Sequence, residues 1–296
     1  MKKKKVKIFL VIISVILVGI LTPLLSEASQ KLQIRIWSDK DQFFVQEPIS
    51  VHYEVKNISD STVFLSFGMI HEDFVIRDEQ GRGYGTRLKG SWVPLDSLRA
   101  GQSHQAALNV CEWYGVKNVG EYTCSIHTQP SAVLHFEWIK SNTIKFKVIE
   151  PKGEEKKALS LYLEAGKLRG ARSRAGGPDL TKLELGFWKY QELVNKYPNS
   201  VYAPLALRSA WGTYRYSQNL EDRKKNIPVY KRLIESYPNS HYVASAFCGL
   251  VETYEKFKDK SGAIQAMKEL IKKHPNTKIS ERAEYWLEKI EKWEFK

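Results

Sequence analysis

The chain has 296 residues with 46 Lys+Arg against 33 Asp+Glu, a formal net charge of +13, and 43% apolar residues. That length exceeds one average domain, and that apolar share excludes a disordered polyelectrolyte, so two packed domains are the starting expectation. The charge is unevenly placed: residues 1–28 carry +4, residues 29–150 carry −1, and residues 151–296, with 28 basic and 18 acidic residues, carry +10.

Lys2, Lys3, Lys4, Lys5 and Lys7 precede an apolar run from Ile8 to Leu25, and Ser26-Glu27-Ala28 supplies small residues at the positions a signal peptidase reads. This basic, apolar, small-residue order predicts a secretory signal over 1–28. The alternative is an uncleaved anchor over residues 8–25, near the lower length limit for crossing a bilayer; Pro23 favours cleavage. No Cys follows the run, which excludes a lipid-modified N-terminal Cys. Membrane contact is expected through this segment alone, if it is retained. The expected location is the periplasm or cell envelope, and export argues against nucleic acid as a partner of the basic C-terminal part.

Residues 29–150 are punctuated like a β protein. Strands are predicted at Lys31–Trp37, Ile49–Val55, Thr62–Phe67, Phe74–Arg77, His104–Val110, Glu121–His127 and Thr143–Ile149, separated by turn signals such as Asn57-Ile58-Ser59-Asp60 and Asp78-Glu79-Gln80-Gly81. Apolar and polar residues alternate in Val51–Val55 and Ile144–Val148, which places one face against a core. About seven such strands predict an antiparallel sandwich. Gly81-Arg82-Gly83-Tyr84-Gly85 joins two strand-like segments rather than opening a helix, so a hairpin tip is expected there and not a phosphate loop.

Cys111 and Cys124 are close enough in sequence for a disulfide across a hairpin, and two separate buried thiols fit equally well. Cys248 lies in an apolar helical stretch and is expected in the core. His71-Glu72-Asp73 has no second cluster at ligand spacing, so no metal site and no cofactor are expected.

After Pro151 the hydrophobic period changes. A helix is predicted over Glu154–Leu168 with Leu159, Tyr162, Leu163 and Leu168 on one side, followed by a flexible basic loop from Gly170 to Pro178; together they form a linker at 151–179. From Leu180 the chain repeats itself. Tyr197-Pro198-Asn199-Ser200 recurs as Tyr237-Pro238-Asn239-Ser240 and as His274-Pro275-Asn276-Thr277, at offsets of 40 and 37. Counting back from each Pro, Tyr190, Tyr230 and Met267 correspond, as do Leu193, Leu233 and Leu270, and Val194, Ile234 and Ile271. These positions form one helical face. The aromatic ends one helix, Pro and Asn make the turn, and Ser or Thr caps the next.

Phe247, Leu250, Val251, Tyr254, Ala263, Met267, Leu270 and Pro275 resemble the tetratricopeptide consensus, and Ala210, Tyr214, Tyr230, Leu233 and Pro238 resemble it more loosely, with three extra residues near Asn219–Asn226. The Tyr-Pro-Asn-Ser turns followed by Tyr202-Ala203 and Tyr242-Val243-Ala244 are similar to the repeats of bacterial outer-membrane assembly lipoproteins and periplasmic Tol-Pal partners. The resemblance covers residues 180–296. It implies an α-helical array that binds envelope proteins with the groove lined by the first helix of each pair, here Arg208, Arg215, Tyr216, Ser245, Glu252 and Glu255. Ser280–Trp293, with Glu284 and Glu291 at positions the consensus fills with bulky residues, is expected as the polar cap of the array. In the first domain, Phe44–Ile49 and Gly120-Glu121-Tyr122-Thr123-Cys124 resemble bacterial immunoglobulin-like modules, with Tyr122 placed as in a tyrosine corner. The expected fold is thus multidomain all-β plus all-α: an antiparallel immunoglobulin-like β-sandwich followed by a tetratricopeptide-like array.

No Gly-x-Ser-x-Gly, His-Glu-x-x-His, phosphate loop or Cys-x-x-Cys is present, so an exported, non-catalytic scaffold is expected rather than an enzyme. The alternative is a carbohydrate or cell-wall binding module in the sandwich, using Trp37, Trp92, Trp113 and Trp138 as stacking surfaces.

Overall fold

The computed structural model describes residues 32–65, 73–85, 96–128, 138–171, 179–215 and 219–293. The expected signal segment 1–28, His71, Glu72, Trp92, Tyr216 and most of the basic loop before Pro178 lie outside the described residues. The chain divides into two compact units, Met1–Glu150 and Pro151–Lys296.

The first unit is built of β-strands. β1 (Leu32–Trp37), β3 (Ser50–Asn57) and β8 (Ser103–Asn109) form one antiparallel sheet in the order β1-β3-β8. A second sheet runs β2-β11-β9-β5-β6, with β2 at Gln42–Phe44, β11 at Ile144–Ile149, β9 at Gly120–Thr128, β5 at Phe74–Asp78 and β6 at Gly83–Tyr84; β10 (Ile139–Lys140) also pairs with β9. β4 (Val63–Leu65) and β7 (Asp96–Leu98) pair separately. Each predicted strand has a counterpart among the described residues, with Lys31, Ser66 and Phe67 lying outside them. The short β2, β6, β7 and β10 were not foreseen, because two or three residues are too few to show a period of two. Among the described residues, β2 runs parallel to β11, a departure from the antiparallel expectation.

Alternation along the long strands turns Ile34, Ile36, Val51, Tyr53, Val55, Ile76, Cys124, Ile126, Phe146 and Val148 into one shared core. Tyr122 stacks on Phe146 at 5.4 Å, and its hydroxyl donates to the Asn118 carbonyl at 2.9 Å. The Asn142 side chain bonds both backbone groups of Ile36, accepting at 2.8 Å and donating at 2.9 Å, and so ties β1 to the chain entering β11. Gly81 takes φ +77° at the β5–β6 tip, where Asp78 accepts from the Arg82 backbone N–H at 2.9 Å and from its Nε at 2.7 Å. The glycine-rich segment is a hairpin.

Cys111 lies in a short helix, α1 (Val110–Tyr114), which the sequence did not suggest, and Cys124 lies in β9. All three cysteines are free thiols. The Cys111 Sγ donates to the Glu47 carbonyl at 3.1 Å, and Cys111 is half-buried where Cys124 is buried. Burial pushes both thiols up to about 12, and thiolate is the reactive form. Cys248 corrects the sequence expectation, because it is exposed. Its neighbours Ala246, Phe247, Gly249 and Leu250 are buried, but position 248 falls on the opposite side of the helix. A thiol reagent at pH 8 should therefore modify Cys248 in the native chain, leaving Cys111 and Cys124 until denaturant is added. Prompt reaction of either one would contradict the assigned burial.

The second unit is helical: α2 (Gly153–Arg169), α3 (Leu180–Lys196), α4 (Tyr202–Tyr214), α5 (Leu220–Lys224), α6 (Asn226–Ser236), α7 (Val243–Lys256), α8 (Lys260–Lys273) and α9 (Lys278–Glu291). The three repeat helices end in the same way. Tyr197, Tyr237 and His274 end α3, α6 and α8 at φ −131°, −132° and −129°, with their N–H groups donating to Leu193, Leu233 and Leu270. Ser200 and Ser240 then accept from the N–H groups of Tyr202 and Tyr242 at 3.2 and 3.3 Å. Thr277 forms a reciprocal capping box with Ser280. The third turn differs in placing Asn276 at φ +59°, a conformation asparagine tolerates. The extra residues near Asn219–Asn226 form α5, capped by Asn219 accepting from the Glu221 N–H at 3.0 Å.

The helices stack through the repeated positions. Leu193, Val194, Leu233, Ile234 and Leu270 are all buried, as are Ala210, Phe247, Leu250, Ala263 and Met267. α2 packs against α3 and α4, burying Ala158, Leu159 and Ala165, while Leu163, expected on the apolar side, faces outward. Gly186 permits that approach: a Cβ there would lie 3.0 Å from the Ala165 carbonyl oxygen. In α9 the buried residues are Ile279, Ser280, Ala283 and Ile290, with Glu284 and Glu291 exposed.

Candidate protein-docking site

Two surfaces of the helical unit are candidates, one on α4 and α7 and one on α3 and α6. α7 buries Phe247, Leu250, Val251 and Tyr254, and the helical period therefore turns Ser245, Cys248, Glu252 and Glu255 to the other side. Ser245, Cys248 and Glu255 are exposed and Glu252 is half-buried. On α4 and its end, Arg208 and Arg215 are half-buried. The structure joins Arg215 to Glu252 across the repeat boundary, Nη2 to Oε2 at 3.2 Å. With both side chains partly in solvent, this pair contributes about 0–1 kcal/mol to stability. Arg208 stands over the Tyr242 ring, its guanidinium carbon 5.9 Å from the centroid.

Sequence reasoning missed Arg169 at this surface. It comes from the end of α2, in the stretch read as a linker, and donates from Nη1 to the Ser209 carbonyl at 2.8 Å. Gly212, where a Cβ would lie 3.0 Å from that same nitrogen, leaves it room; a glycine inside an otherwise good helix was the available signal. The face is thus bipolar, with arginines at the α4 end and the carboxylates of Glu252 and Glu255 on α7. Below the Arg215–Glu252 pair lies a cavity of about 10 Å³ bounded by Asn226, Tyr230, Gly249 and Thr253. Asn226 donates to the Trp211 carbonyl at 3.0 Å, and burial pushes the Tyr230 phenol up to about 12, so it stays neutral.

The second surface is an apolar groove of about 740 Å³ between α3 and α6. Phe187 and Val229 are buried in its floor, Trp188 (57% exposed) and Pro228 stand on its walls, and Lys196, Lys225 and Arg232 ring it with Glu192. None of these residues was singled out by the sequence.

Of the tryptophans considered for glycan stacking, Trp37 stacks on His52 at 5.5 Å with Arg35 over its ring, and Trp113 packs against the β core. Trp138 is 60% exposed with its ring 4.9 Å from that of His127. Among the described residues no cluster of three or more His, Cys, Asp or Glu is placed to hold a metal ion, and no helix is long and apolar enough to cross a membrane.

No curated protein matches the chain. Among solved structures, it aligns with a β-glucosidase from Listeria innocua in complex with isofagomine (13% identity, 40% of this chain and 16% of that chain, TM-score 0.26). It also aligns with the yjhA protein from Bacillus subtilis (13%, 40% and 92%, 0.23) and with Spo0M, a sporulation control protein from Bacillus subtilis (11%, 46% and 55%, 0.25). The tetratricopeptide repeat family model matches residues 249–277, from within α7 through α8 to the turn before α9. The C-terminal part of the chain is therefore a helical array containing a tetratricopeptide repeat.

Proposed function

We propose that this protein is an exported, non-catalytic adaptor that holds another protein of the cell envelope through its helical repeats, with an immunoglobulin-like β-sandwich as its first domain. The observation that carries the reading is the tetratricopeptide match at 249–277 on a helix whose outward residues, Ser245, Cys248, Glu252 and Glu255, are left accessible beside Arg208 and Arg215. Stacked helical repeats use such faces for protein binding. The Tyr122 to Asn118 hydrogen bond, in the manner of a tyrosine corner, supports the immunoglobulin-like reading, and the lysines and apolar run of residues 1–28 support export.

The test is capture of proteins from a cross-linked envelope fraction with the full chain. A partner recovered by the wild type should fall about tenfold in yield with Arg208→Glu or Glu252→Arg, as expected when one charge of a docking face is reversed. Recovery of no protein, or equal recovery by both variants, goes against the adaptor reading. Fractionation tests export separately: the mature chain should be found outside the cytoplasmic fraction.

A further inference from the structure

The α3–α6 groove differs from its counterpart one repeat later, and the difference indicates what it binds. By the offsets of 40 and 37, Gln191 corresponds to Lys231, Asn195 to Glu235, Arg232 to Glu269 and Ser236 to Lys273. Between α6 and α8 two ion pairs bridge the helices, Lys231–Glu269 at 3.1 Å and Lys273–Glu235 at 3.1 Å. Between α3 and α6 the same positions hold Gln191 with Arg232 and Asn195 with Ser236, so both carboxylates of the later interface are missing. Arg232 is instead held by neutral oxygens, Asn195 Oδ1 at 2.7 Å and the Val194 carbonyl at 3.2 Å. Lys196 and Lys225, by contrast, have carboxylates of this chain as partners, Glu192 at 2.7 Å and Asp222 at 3.1 Å.

The groove has the shape of a helix-binding cleft. Trp188, Gln191, Glu192, Asn195 and Lys196 stand at i, i+3, i+4, i+7 and i+8 on α3, and Pro228, Val229 and Arg232 stand at i+3, i+4 and i+7 from Lys225, the residue that precedes α6. Two helical faces in contact with one cleft along about two turns, roughly 11 Å, accommodate the apolar stripe of a third helix. Its floor of Phe187 and Val229 is apolar; on its rim Lys196 is paired with Glu192, and Lys225 with Asp222 and Glu184, which leaves Arg232, held by neutral oxygens, as the cation a partner's carboxylate would meet.

We propose that the groove between α3 and α6 docks an acidic amphipathic helix of a partner protein, its apolar side chains on Phe187, Trp188, Pro228 and Val229 and a carboxylate on Arg232. This surface is separate from the face of α4 and α7, and it rests on the adaptor reading only in that both make the chain a protein binder. The partner supplies the carboxylate that Glu235 and Glu269 supply within the chain one repeat on.

Fluorescence anisotropy with the full chain tests this. The probe is a labelled, blocked peptide of about twenty residues, alanine-rich so that it holds helix, with Leu and Phe at i, i+3, i+4 and i+7 on one face and four glutamates on the other; its counterpart carries lysines in place of those glutamates. The glutamate peptide should bind and the lysine peptide should not. Trp188→Ala should weaken binding about tenfold. Asn195→Glu should do the same by pairing Arg232 internally, with no loss of thermal stability, which separates closure of the site from misfolding. Arg232→Glu should reverse the preference between the two peptides.

The proposal is overturned if the glutamate peptide fails to bind, if Asn195→Glu binds it as well as the wild type, or if Arg208→Glu abolishes binding while Trp188→Ala does not. It is also overturned if sedimentation shows a dimer that Trp188→Ala dissociates, since a second copy of the chain would then fill the groove. Failure here with a partner still captured through Arg208 and Glu252 leaves the adaptor reading standing; loss of that capture as well removes both.

Discussion

Replacing Phe247 by alanine is expected to lower the melting temperature of the helical unit by about 10 °C. Phe247 is fully buried in α7, and truncating a buried Phe to Ala costs about 3–5 kcal/mol in lost transfer energy and residual cavity. A unit of this size loses roughly 2–4 °C per kcal/mol. Cys248→Ala, one residue on and facing outward, should stay within about 0.5 kcal/mol. Thermal melts followed at 222 nm compare the two directly. Similar melting temperatures for both variants would mean that α7 does not bury the face assigned to it.

The second large effect is expected in the β unit, at Asn57. This side chain is fully buried, donates to the Ser61 and Leu98 carbonyls at 2.7 and 2.8 Å, and accepts from both the N–H and the hydroxyl of Ser59. It joins the end of β3 to the β4 turn and to β7. Asn57→Ala leaves those groups without their partner and should cost about 3 kcal/mol. Asn57→Asp should cost more at neutral pH, about 5 kcal/mol, since it sets a buried carboxylate against two carbonyl oxygens. Such a carboxylate has its folded-state pKa raised, so the folded protein binds more protons than the unfolded chain and stability falls as pH rises. Asn57→Asp should recover part of its loss between pH 7.5 and pH 4.5, and Asn57→Ala should not. Hydrogen exchange in β3 and β7 reads both, and a pH-independent loss for Asn57→Asp would contradict the placement of the side chain.

The long elements were legible in the sequence because their periods are. Ile144–Val148 alternates and Leu233, Ile234 and Tyr230 recur at helical spacing, so both segments fold as their patterns dictate. The repeated Tyr-Pro-Asn-Ser turns were legible for a chemical reason, since each residue type has one conformational task there. What escaped was of two kinds. β2, β6, β7 and β10 are too short to carry a period, and β2 is placed by tertiary pairing with β11 rather than by its own residues. Cys248 was misread because an apolar helical segment was treated as apolar all round, although Ser245, Glu252 and Glu255 already marked its open side.

The two candidate faces were half legible. The outward placement of Arg208, Arg215, Ser245, Glu252 and Glu255 follows from the repeat register, but the contact between Arg215 and Glu252 depends on how neighbouring repeats stack. Arg169 escaped because α2 was read as a linker. The α3–α6 groove left a signal in the sequence: aligning Gln191 and Asn195 with Lys231 and Glu235 reveals a loss of charge that only becomes meaningful once the later ion pairs are seen to bridge α6 and α8.

The thiol pattern offers the most direct test of the adaptor reading. Cys248 is exposed between Ser245 and Glu252, whereas Cys124 is buried and Cys111 half-buried, and burial pushes both of these thiols up to about 12. A benzophenone attached through maleimide to Cys248 of the full chain and illuminated in an envelope fraction should cross-link one discrete protein, and Glu252→Arg should reduce the yield about tenfold. Cross-linking to no protein, or to the same set of proteins at the same yield in both chains, would contradict the assignment of this face as the place where the array holds its partner.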